Sequence, residues 1–180
     1  MKTISVFSFL VLGVFFYPEA FAWVIKAQEV VSGRGIRFPE ASGKIQVVTF
    51  LSAKCPCSAG HEPVLKELYR EFSKDFKFIG VHSNQNEERK LAQRHFAEAD
   101  LPFPVIEDRD ARIAHRLGAM KTPHVFVLKG TDVLYEGGID DTSDGKNPEK
   151  RYLKDALTRI KEGKSPEISH GRVLGCAIKK

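Results

Sequence analysis

One stretch, Ile45 to Pro63 (IQVVTFLSAKCPCSAGHEP), limits what this chain can fold into more than any other. Its apolar run (Ile45, Val47, Val48, Phe50, Leu51) lies between Gly43 and a turn holding Cys55, Pro56 and Cys57. A β-branched and aromatic run with such boundaries reads as a buried central strand. Pro56 suits the first turn of a helix, where a missing N–H costs nothing. Val64, Leu65, Leu68 and Phe72 follow as an apolar stripe for a helix packed on a sheet. Two thiols therefore stand where a strand hands over to a helix N-terminus. Unpaired N–H groups and the positive end of the dipole favour thiolate there.

The residues before this stretch read as an address. Lys2, an apolar core from Ile4 to Tyr17, Pro18 and the small-residue site Ala20-Phe21-Ala22 match a secretory signal peptide over residues 1–22. The apolar core falls short of the roughly 20 residues that span a bilayer. The expectation is an exported protein, periplasmic or secreted, that meets a membrane only through this leader during export. Cysteines there face an oxidising space. The net charge of +5 is spread along the chain and not clustered with aromatics, which argues for a solvated surface and against nucleic-acid binding. Three cysteines are too few for a disulfide-stapled scaffold, and the odd count leaves one thiol over.

From Ile45 onward strands and helices alternate. Phe76–His82 reads as a second strand. A helix follows that ends near Ala99, with Glu87 and Glu88 in its first turn. Leu101–Ile106 is a short extended piece. Asp110 is a candidate cap for a helix over Ala111–Leu117, stopped by Gly118. Pro123 opens an apolar strand to Leu128, a turn over Lys129–Asp132 leads into Val133–Gly137, and Pro148–Lys161 is the last helix. Earlier, Val30-Val31 is a candidate short strand beside the turn Ser32–Gly35. The order β-α-β-α-β-α-β-β-α implies an α/β domain, with a central mixed β-sheet flanked by helices on both faces. The expected organisation is a leader (1–22), an N-terminal extension (23–44), one domain (45–162) and an irregular C-terminal tail (163–180) carrying Cys176.

A strand, a cysteine turn, a helix and a later Thr122-Pro123 strand together resemble the thioredoxin superfamily, and most of all its exported redoxin branch (AhpC/TSA-like, TlpA-like). The likeness covers about Ile45 to Ile160. Pro63 stands where thioredoxins carry the proline of their first helix, and Thr122-Pro123 matches the cis-proline facing the active-site cysteine. Phe103-Pro104-Val105, Asp108 and Ala114…Leu117-Gly118 follow the redoxin pattern between them, and the ending Gly175-Cys176-Ala177-Ile178-Lys179 is similar to that of some redoxins. The resemblance implies a thioredoxin-like fold, thiol–disulfide or antioxidant chemistry, protein thiols and disulfides or peroxide as partners, and no cofactor. The chain also departs from the pattern. Ser58 holds the place of the second cysteine of Cys-x-x-Cys, Cys57 has slipped one residue inward, and the family's buried aspartate falls on Thr49. Ser52-x-x-Cys55 is only half of the peroxiredoxin Thr-x-x-Cys pattern.

Cys55 is the expected nucleophile, with Lys54 beside it in sequence as a candidate support. Cys57 is the expected resolving thiol, although residues i and i+2 point apart on a helix, so that a Cys55–Cys57 bridge needs a non-helical turn. Cys176, folding back from the tail, is the alternative, and would resemble a two-cysteine peroxidase cycle. A cis Pro123 implies Thr122 peptide groups beside Cys55, open to an extended substrate segment. His124 and His61 are candidate bases or metal ligands. With Cys55 and Cys57 one of them suits a monovalent copper ion, the competing reading of the chain as a copper carrier. His82 reads as structural, and Asp140 and Asp141 as a solvated turn.

Overall fold

In a computed structural model, which describes residues 23–40 and 43–180, seven strands form one mixed sheet, from edge to edge β2 (Gly35–Phe38), β1 (Ile25–Glu29), β5 (Val105–Glu107), β4 (Phe76–His82), β3 (Ile45–Leu51), β7 (His124–Lys129) and β8 (Asp132–Gly137). The leader expected over residues 1–22 lies outside the described residues. β3 (Ile45–Leu51) runs between β4 (Phe76–His82), its parallel neighbour, and β7 (His124–Lys129), its antiparallel one. β5 (Val105–Glu107) continues the parallel side, and β8 (Asp132–Gly137) closes the other edge as a hairpin with β7. Among the described residues the four α-helices are α1 (Pro56–Phe72), α2 (Arg89–Ala99), α3 (Arg112–Leu117) and α4 (Tyr152–Lys161). None of the described helices is long and apolar enough to cross a membrane.

Alternation along β3 divides the core into two layers. Val47 and Leu51 face the layer of α1, α2 and α4, where Leu65, Leu68, Phe96 and Leu157 pack. Val48 and Phe50 face the opposite layer with Ile113 and Ala114 of α3. Because helices cover both faces, the strand is apolar on both, and this is why its sequence runs nearly without polar residues. Gln46 and Thr49 are the exceptions, and they too are buried.

The extension is more regular than its sequence suggests. β1 (Ile25–Glu29) and β2 (Gly35–Phe38) form a hairpin around the expected turn, and β1 pairs antiparallel with β5. Val30 and Val31 fall after the strand. The helix starts also shift. α2 begins at Arg89, so Glu87 lies ahead of it. Asp110 is not a cap: it sits at φ 60° in a short 3-10 turn. Asp108 does that work instead, its carboxylate accepting from the Ile113 and Ala114 N–H groups at 2.9 Å each. Gly118, at φ +75°, ends α3 as expected. The tail is not irregular throughout. Cys176–Ala177 is a strand, β9, paired antiparallel with β6 (Lys121–Thr122), and His170 bridges to Glu136 of β8.

Candidate functional site

The site lies at the end of β3, where the chain turns into α1. Cys55 is the last extended residue before the helix (φ −90°, ψ 113°), and Pro56 takes the first helical position. Cys55 is 3 % exposed. The Thr122–Pro123 peptide bond is cis. Cys55 Sγ lies 3.0 Å from the Thr122 carbonyl oxygen, to which the thiol donates, and 2.6 Å from Cys176 Sγ. The three sulfurs of Cys55, Cys57 and Cys176 lie within 4.8 Å of one another. Two come from one helix start. The third arrives from 121 residues away.

The surroundings rank the three thiols. Burial works against a charge on Cys55, but hydrogen bonding from Cys176 and from the Ser58 backbone outweighs it and holds the thiol below its ordinary value. Burial raises Cys57, and the neighbouring Cys55 charge adds to this. Cys176 is pushed up to about 12 by burial, by its hydrogen bond to Cys55 and by the negative charges facing it. Cys55 therefore ionises first and is the best leaving group of the three.

The other residues singled out from the sequence fall into place around this cluster. Ser58 is fully buried, and its Oγ accepts from the Ser52 N–H at 3.1 Å, tying the first turn of α1 to the end of β3. Ser58→Ala leaves that N–H without an acceptor, and about 1–3 kcal/mol of stability is expected to be lost in urea denaturation. Lys54 is exposed, its backbone N–H donates to Ser52 Oγ at 3.3 Å, and the lowering of Cys55 traces to hydrogen bonds and not to this ammonium. His61 is buried, with Nδ1 2.7 Å from the Cys57 carbonyl oxygen and Nε2 3.2 Å from Asp140 Oδ1. Asp140 is thus buried, not part of a solvated turn. His124 stacks on Phe126 at 4.5 Å between centroids, and burial together with the Lys121 charge lowers it to about 4. Among the described residues, the sulfur cluster contains no histidine.

One group was not read from the sequence. Glu87 is buried, and its carboxylate accepts from Ser52 Oγ, from the Ala53 N–H at 2.8 Å and from the Asn84 amide at 2.8 Å, with His82 Nε2 at 3.0 Å. Asn84 Oδ1 in turn accepts from the Lys179 N–H at 3.0 Å, and the Gln85 N–H donates to the Lys179 carbonyl at 2.8 Å. One acidic side chain thereby connects the loop before Cys55 with the tail that carries Cys176. The closeness of His82, Asn84 and Glu87 in sequence, across the end of β4 and the loop after it, was the available signal, masked by the expectation that Glu87 belongs to a helix.

Residues 19–139, more than half of the chain, match the AhpC/TSA family. Cys176 lies beyond the matched segment. No curated protein matches the chain. Among solved structures, an uncharacterized conserved protein from Geobacillus kaustophilus is similar at TM-score 0.78 and 21% identity, over 88% of this chain and 89% of its own. A hypothetical protein from Sinorhizobium meliloti 1021 is similar at TM-score 0.77 and 20% identity, over 88% and 91%. A secreted Mycobacterium tuberculosis disulfide oxidoreductase, homologous to E. coli DsbE, is similar at TM-score 0.52 and 20% identity, over 59% and 76%. These likenesses establish the thioredoxin-like fold. With the strand, cysteine turn and helix in place, the chain belongs to the AhpC/TSA family.

Proposed function

We propose that the protein is an exported thiol–disulfide oxidoreductase in which Cys55 is the nucleophile and Cys176 the first resolving thiol. The Cys55 thiolate attacks one sulfur of a substrate disulfide, and the other substrate sulfur leaves as a thiolate. Cys176 then loses its proton and attacks Cys55 Sγ, releasing the second substrate thiolate and forming Cys55–Cys176. The substrate gains two electrons and the protein loses two. The carrying observation is the 2.6 Å separation of Cys55 Sγ and Cys176 Sγ. Cys57, two residues along the same helix start, lies within 4.8 Å of both sulfurs.

The same distance weighs against the copper reading. Sulfurs sharing one ion at about 2.3 Å each stand roughly 3.8 Å apart. A closer contact favours bond formation between the sulfurs themselves.

The test is reduction of insulin disulfides by the protein with glutathione as electron donor, followed by trapping. Cys55→Ser is expected to abolish turnover, and Cys176→Ser to accumulate a mixed disulfide on Cys55. Full turnover by Cys55→Ser overturns the reading. Consumption of hydrogen peroxide through a Cys55 sulfenate, with insulin left oxidised, would replace it with a thiol peroxidase. Export is tested by the N-terminus of the protein recovered from cells, expected at Trp23.

A further inference from the structure

Once Cys55 and Cys176 are joined, a third thiol remains beside the bond. Cys57 is only partly buried and lies within 4.8 Å of both partners. Its thiol is raised by burial and by the Cys55 charge. Formation of the disulfide removes that charge, so Cys57 becomes easier to ionise at the moment an attacking thiolate is needed. The two sulfurs of the bond are unequal targets. Cys55 stands at the N-terminus of α1 beside the Ser58 backbone, which stabilise a departing thiolate, so attack is directed at Cys176 Sγ. A thiol held at this distance also outruns one arriving from solution.

We propose that Cys57 is a third reacting thiol, which moves the disulfide from the buried Cys55 to the outer pair Cys57–Cys176. This rests on the reading of Cys55 and Cys176 as the first pair. Cys57 gives its proton to solvent and its thiolate attacks Cys176 Sγ. The Cys55–Cys176 bond breaks, Cys57–Cys176 forms, and Cys55 leaves as a thiolate. No electrons enter or leave. The exchange runs toward the side on which the most stabilised thiolate is free. Cys55, 3 % exposed, is restored inside while the oxidised pair lies between two partly exposed sulfurs, where an external thiol reduces it.

The experiment mixes the reduced full chain with one equivalent of oxidised glutathione, quenches with acid at intervals and alkylates the free thiols. Cys55 and Cys57 share the tryptic peptide from Cys55 to Lys66, so fragmentation between them locates the alkyl group. The expected sequence is Cys55–Cys176 early, replaced by Cys57–Cys176 with Cys55 alkylated. Cys57→Ser is expected to halt at Cys55–Cys176, and its steady-state turnover with glutathione to fall at least about ten-fold. Cys57→Ala, with circular dichroism matching the parent, separates this from misfolding. A wild-type end product of Cys55–Cys176, or wild-type turnover by both Cys57 variants, overturns the relay and leaves the first pair standing. Absence of Cys55–Cys176 from the Cys57 variants at every time overturns the first pair, and the relay with it.

Discussion

Glu87→Ala is expected to cost about 3–5 kcal/mol of stability, the range seen when one partner of a buried charged network is removed. The Ala53 N–H, the Asn84 amide, the Ser52 hydroxyl and His82 all lose their acceptor. Urea denaturation at neutral pH checks the magnitude. A titration checks the cause. Burial opposes ionisation of Glu87, but hydrogen bonds from His82, Ser52 and Asn84 hold its carboxyl at about 2, below an ordinary 4.5. A depressed folded-state value contributes stability that is complete above pH 4.5 and is lost as pH falls toward 2. The loss attributable to this residue is about 3 kcal/mol. Glu87→Gln keeps the shape but sets an amide N–H₂ among donors, so it starts less stable and loses less on acidification. Parallel acid slopes for wild type and Glu87→Gln would refute the assignment. Because Glu87 orders the loop ahead of Cys55, both variants are also expected to slow thiol exchange.

Gly175→Ala is expected to release the tail strand and slow closure of Cys55–Cys176 by about ten- to a hundred-fold, the loss of a held geometry. A Cβ at this position would lie 2.2 Å from the Thr122 carbonyl oxygen and 2.7 Å from its carbon. Backbone cannot give way there as the end of a flexible side chain can. The pairing of Thr122 with Cys176, and the bond from the Ile178 N–H to the Met120 carbonyl at 2.8 Å, depend on that approach. Stopped-flow oxidation by glutathione disulfide measures the closure. Alkylation of Cys55 by a bulky maleimide is expected to accelerate in the same variant, because the tail covers the sulfur it meets. Unchanged rates in both measurements would show that the tail does not control the site.

The order of strands and helices from Ile45 to Ile160 was legible for a simple reason. Each element in it carries its own signal: an apolar run of strand length, a helical stripe, or a proline or glycine at a boundary. The placement of Cys55 at a helix start, and of Thr122-Pro123 at the mouth of a strand, follows from the same local rules. The hairpin of β1 and β2 was half hidden, since its alternation is short and its partner β5 lies far along the chain.

What only the tertiary structure decided is which groups meet. Glu87 has a residue type fit for the first turn of a helix, and local rules placed it there. Its real place is set by four donors from two segments, of which His82 and Asn84 adjoin it in sequence while Ser52 and Ala53 lie more than thirty residues away. Cys176 shows the same limit. A two-residue strand has no periodicity to read, and its pairing depends on β6 being presented by the rest of the fold. By itself the sequence determined an α/β sheet and a cysteine at the C-terminal end of one of its central strands, where a helix start favours thiolate, because strand burial and helix-end electrostatics are local. The approach of Cys176 Sγ to 2.6 Å from Cys55 Sγ was decided in space, by a contact across 121 residues that no local rule draws.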